Sequence, residues 1–139
     1  MPKAHIFNNH LNAEDNAAIE VAVRAAGYNP VYGVPANVSS VDPDTDVGVV
    51  GLPVKAEDEA SVNAAMQLFA GAGTRVVCIW LRSDEDSGTG VPDGVGKYGS
   101  STVDVNSPEL TGTLKGESDV WEEPGGAPRP TPATKRNKC

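Results

Sequence analysis

DVGVVGLPVKAEDEASVNAAMQLFAGAGTRVVCIWL, residues 46–81, decides the fold. Val47, Val49, Val50 and Leu52 form an apolar run broken only by Gly48 and Gly51, and Val76 to Leu81 form a second with no polar alternation. Strands apolar on both faces belong to parallel sheets covered by helices on each side. Between the runs, Val62, Ala65, Met66, Phe69 and Ala72 recur at the spacing of one helix face. Glu57, Asp58 and Glu59 open that helix, where negative charge suits the dipole, and Gly71 and Gly73 close it. The stretch is one βαβ unit, and such crossovers are right-handed almost without exception.

Upstream, residues 4–8 (AHIFN) predict a short central strand. Asn12 is placed to cap a helix running to about Ala26, with Ala18, Val21, Ala22 and Ala25 on one stripe and Gly27 as its stop. Residues 30–33 (PVYG) predict a second strand, followed by a polar loop over 34–45. Downstream of Leu81, some twenty residues lack periodicity, the length of a lid or an unstructured loop. Residues 102–105 (TVDV) predict a fifth strand near an edge. Ser107, Pro108 and Glu109 predict a helix start, Leu110 and Leu114 its anchors and Gly116 its end. Five strands alternating with helices predict an α/β flavodoxin-like sheet of order 2-1-3-4-5, a single domain over residues 1–123. In that topology ligands bind beyond the carboxyl ends of the strands, here the loops at 8–12, 52–58 and from Arg82 onward.

Residues 124–139, PGGAPRPTPATKRNKC, hold almost nothing apolar beyond Ala and Pro and predict a flexible tail. Trp121, at its border, is expected to dock on the body and pin its start. The net charge of −8 conceals an asymmetry: residues 1–123 carry 7 basic and 19 acidic side chains, whereas the tail carries Arg129, Lys135, Arg136 and Lys138 and no acid. An acidic body repels phosphate backbones, which disfavours nucleic-acid binding. No apolar run approaches the roughly 20 residues of a membrane span. MPKAHIFNNH lacks the apolar segment of a secretory signal, and Cys78 and Cys139 make no disulfide framework, so a cytoplasmic protein is the default expectation.

Asn8, Asn9, His10 and Asn12 stand where a ligand-binding loop belongs; their amides suit a ribose or base, and equally suit turn formation and capping. Ser61, near the second helix's start, and Arg82, after the fourth strand, complete the ligand-binding candidates. No strand is followed directly by GxGxxG or GxxxxGK[ST], which disfavours ordinary dinucleotide and P-loop binding. Glu57 and Glu59 are weak catalytic candidates, more readily explained as a solvated first turn. Asp84, Glu85 and Asp86 lack calcium-loop spacing, and His5 has no partner at zinc-ligand spacing, so no metal is expected. Cys78 and Trp80 read as core, and no nucleophile motif is present.

HIFNNHLNAED, and DVGVV followed by a helix and GAGTRVVCIWL, resemble small TIR-like domains and the related nucleoside 2-deoxyribosyltransferase-like proteins over residues 4–114. The resemblance is one of pattern. It implies a three-layer sandwich that takes NAD or a nucleoside at the strand ends, with N-glycosidic cleavage by a helix glutamate in many members. Aligned on Gly73, the position of that glutamate is Ala65, so the expected carboxylate is missing and enzymatic activity is left open.

Two functions follow as expectations. One is a site for a nucleotide- or NAD-related ligand, serving signalling or cleavage. The other is a non-catalytic interaction or assembly module that engages a protein partner through Arg129, Lys135, Arg136, Lys138 and Cys139, whose thiol lies among cations that should lower its pKa. Oligomeric state is not legible.

Overall fold

The computed structural model describes residues 2–7, 12–33, 41–42, 44–52, 58–81, 101–117 and 120–122. Its elements are β1 (Lys3–Phe7), α1 (Ala13–Ala25), β2 (Asn29–Tyr32), β3 (Val47–Leu52), α2 (Glu59–Gly71), β4 (Arg75–Trp80), β5 (Ser101–Asp104) and α3 (Leu110–Leu114). The strands form one all-parallel sheet in the order β2-β1-β3-β4-β5, the flavodoxin-like order expected of a chain that alternates strand and helix.

Strand periodicity divides the core into two layers. On one face Ala4, Ile6, Val47, Val49, Val77, Ile79 and Val103 meet Ile19, Ala22 and Val23 of α1 and Leu114 of α3. On the other, Phe7, Val50, Leu52, Val76, Cys78 and Trp80 meet Val62, Ala65, Met66 and Phe69 of α2. The central strand is β3 and not β1, the strand expected there, and every residue of β3 is buried, as its unbroken apolar run requires in a sheet covered on both sides.

Helix ends follow their local chemistry. The side chain of Asn12 accepts a hydrogen bond from the Asp15 N–H at 2.8 Å, capping α1. Past α2, Gly73 takes φ +78° and the chain turns into β4. Gly71 stays within α2, so the terminating role falls to Gly73 alone.

Two local expectations need correction. The buried stripe of α1 is Ile19, Ala22 and Val23, continued by Ala26 just past its end, whereas Val21 is 69% exposed and Ala25 also faces out. In a helix so rich in alanine several offsets satisfy helical spacing, and Ile19, the largest apolar side chain, selects the one that buries most area. Ser107 does not cap α3 directly. Its hydroxyl accepts from the Glu109 N–H at 3.1 Å, closing a turn, and the helix begins at Leu110. The α3 carboxyl end is tied to the turn between α1 and β2 and to β4. The Tyr28 hydroxyl donates to the Leu114 carbonyl at 2.8 Å, and Arg75 donates to the carbonyls of Thr113 and Leu114 at 3.0 and 2.7 Å. These bonds satisfy carbonyls that the helix itself leaves open.

The segment 120–122 joins the sheet beside β5. Thr102 donates its N–H to the Val120 carbonyl at 3.0 Å, and Glu122 donates its own to the Thr102 carbonyl at 2.9 Å. Trp121 is half-buried against the α2-side layer, which is the docking expected of it.

Candidate functional site

The carboxyl ends of β1, β3, β4 and β5 lie on one edge of the sheet because all strands run parallel. Among the sequence candidates for that edge, Asn8, Asn9, His10, Glu57 and Arg82 lie outside the described residues, as do Arg129, Lys135, Arg136, Lys138 and Cys139 of the tail. The acidic run 84–86 and the aperiodic stretch 82–100 lie outside them too. Asn12 is exposed, and its side-chain oxygen is engaged as the α1 cap. Glu59 is the first residue of α2 and half-buried, and Ser61 is exposed in the same turn. Ala65 is fully packed in the α2-side core. The position at which the transferase-like pattern carries its glutamate therefore faces the sheet.

The described part of this edge holds two buried carboxylates that sequence reasoning passed over, Asp104 and Glu122. Asp104 ends β5, level with Trp80 at the end of β4. The Glu122 carboxylate accepts from the Asp104 N–H and from the Ser107 hydroxyl, each at 3.0 Å. Its backbone carbonyl accepts from the Trp80 indole N–H at 2.8 Å and from the Thr102 hydroxyl at 3.0 Å. The Asp104 carboxylate accepts from the Asn106 N–H at 2.9 Å. One residue, Glu122, thus ties together the ends of β4 and β5 and the turn that leads into α3. The faint signal for it was an acid beside a tryptophan just before a composition change; nothing local indicated its burial.

A second polar cluster lies toward the amino ends, on the α2 face. His5 Nε2 is within 2.9 Å of Asp46 Oδ2. Asp46 also accepts from the backbone N–H groups of Lys3 (3.0 Å) and Asp42 (3.1 Å) and from the Thr45 hydroxyl (3.3 Å). Burial by itself would raise the Asp46 carboxyl, but the His5 bond and the two backbone donors outweigh it and hold the group below its ordinary value. His5 Nδ1 is buried without a partner. An ionised Asp46 accepts only, so the Nε2 atom carries the shared proton. Cys78 shows the opposite balance: with full burial and nothing to offset it, its thiol is pushed up to about 12.

Among the described residues no group of three His, Cys, Asp or Glu side chains is placed to hold a metal ion, and no helix is long and apolar enough to cross a membrane. No protein-family model, curated protein or solved structure matches the chain.

Proposed function

We propose that the chain binds a nucleotide- or NAD-related small molecule at the carboxyl edge of its sheet, as a TIR-like sensing or signalling domain. The observation that carries this reading is the strand order. Connections run in opposite directions from β1 and β3, and in doubly wound sheets the crevice at that reversal takes the ligand. The residues offered for recognition are Asn8, Asn9 and His10, which follow β1 in the sequence, Ser61 on α2 and Arg82, which follows β4 in the sequence. The exposed first turn of α1 adds backbone N–H groups suited to a phosphate. Cleavage of an N-glycosidic bond would need a carboxylate against the ribose, for which Glu57 and Glu59 are the helix-borne candidates, since Ala65 is core.

The test is incubation of the purified protein with NAD and a panel of nucleosides, following thermal shift and base release by chromatography. The triple substitution of Asn8, Asn9 and His10 with Ala should abolish any ligand-induced shift and leave the ligand-free melting temperature in place. A shift that survives the substitutions sinks the assignment of the loop. Base release would add catalysis to binding.

One contact favours a second reading, in which the basic tail engages a protein partner. Residues 120–122, which precede the tail in the sequence, are bonded to β5 of the acidic body. Removal of residues 124–139 with loss of partner capture and unchanged stability would support it.

A further inference from the structure

We propose that Val120–Glu122 is a latch that opens locally, without unfolding of the sheet, and that its release changes the carboxyl edge at the ends of β4 and β5. The bonds place it there. The Glu122 carbonyl is the acceptor for the buried Trp80 indole, and the Glu122 carboxylate is the acceptor for the Asp104 N–H and the Ser107 hydroxyl. Lifting the segment takes all three acceptors away at once and frees the Thr102 N–H from the Val120 carbonyl.

Its attachment is finely balanced for a physical reason. Val120 and Trp121 are only half-buried, so they contribute less apolar burial than core residues. Glu122 is 8% exposed, yet its carboxylate meets two neutral donors and pairs with no cation among the described residues. A buried carboxylate so held gives up much of its hydration and recovers only part of it. When the segment lifts, that charge regains water. By contrast, the pairing of β4 with β5 runs through Val77–Trp80 and Ser101–Asp104 and does not involve the segment. Segments with few buried apolar contacts at a sheet margin belong to the low-stability end of a fold.

The latch itself stands on these contacts alone; its effect on ligand binding rests on the function proposed above. Amide and indole hydrogen exchange on the full chain, read by NMR, tests it without ligand. The Trp80 indole N–H and the Asp104 and Glu122 amides should exchange as a group, at least about tenfold faster than the Val77 and Ile79 amides. Glu122→Ala should speed that group several-fold further and leave Val77 and Ile79 unchanged, and Glu122→Gln, which keeps one of the two acceptor oxygens, should speed it less. Exchange of the group at the rate of Val77 and Ile79 would overturn the proposal, as would a Glu122→Ala chain with unaltered Trp80 indole exchange. Failure of every nucleoside and NAD to bind would remove the proposed ligand and leave the exchange result to decide the latch.

Discussion

His5 Nε2 lies 2.9 Å from Asp46 Oδ2 with both side chains 3% exposed, joining the middle of β1 to the residue that leads into β3. The bond is a staple across the centre of the sheet. Asp46 gathers the Lys3 and Asp42 N–H groups as well, so it also fixes where the chain enters β3.

Because folding lowers the Asp46 carboxyl below its ordinary value of 3.8, the folded state binds the proton less readily than the unfolded one. The stability this contributes is full above that value and is lost as the pH falls through the folded pKa. Urea midpoints measured from pH 7 down to pH 2.5 should therefore fall at the acid end. Asp46→Asn should lower stability at pH 7 by roughly 1–3 kcal/mol and flatten the acid limb, because its amide cannot replace a carboxylate among these donors. An acid limb of unchanged slope in the variant would assign the effect to other carboxyls.

Gly48 leaves room for an aromatic ring. A Cβ there would stand 2.7 Å from Phe69 Cδ2, and the ring is fully buried between α2 and the sheet. Gly48→Ala should cost roughly 1–3 kcal/mol by overpacking. Phe69→Leu in the same chain should cost less than the sum of the two single changes, a non-additivity that a double-mutant cycle in urea would read.

Gly116 is constrained twice. Its φ is +80°, and a Cβ would come within 3.0 Å of the Arg75 guanidinium that binds the carboxyl end of α3. Gly116→Ala should cost about 1–2 kcal/mol from the left-handed backbone alone. Arg75→Leu should cost about 1–3 kcal/mol through the two carbonyls it leaves, with Tyr28 still donating to Leu114. Chemical denaturation of both variants checks the pair.

Cys78 should resist thiol reagents. With a pKa of about 12 and no exposure it presents almost no thiolate at pH 8. Peptide mapping after brief treatment with a disulfide reagent should find Cys78 unmodified in native protein and modified after unfolding in urea.

Much of the architecture was legible because it rests on local patterns. Two uninterrupted apolar runs flanking the Val62–Phe69 face read as a buried parallel βαβ unit, and that unit is present as β3, α2 and β4. Asn12 was recognisable as a cap from its position before a helical run. The α1 stripe was misread because alanines carry little register information, and only Ile19 separates the offsets. The partner of His5 was not legible because it stands 41 residues away, and only the adjacency of β1 and β3 brings them together. Glu122 went unnoticed for the same reason: its contacts reach back to Trp80, Thr102, Asp104 and Ser107. Of the predicted ligand-binding residues, Asn12 and Ser61 alone fall in the described part, one as a cap and one on an exposed turn.

The bridge between Thr102 and Trp121 has a colloidal consequence. A parallel sheet ends in two rows of unpaired backbone groups, and each is a template on which another chain can add. At β5 the row is occupied by the chain's own residues 120–122. At β2 it is four residues long and contains Pro30, which has no N–H to offer. The sheet is thus finished at both margins, and a chain cut before Val120 should scatter light on concentration where the intact chain stays clear.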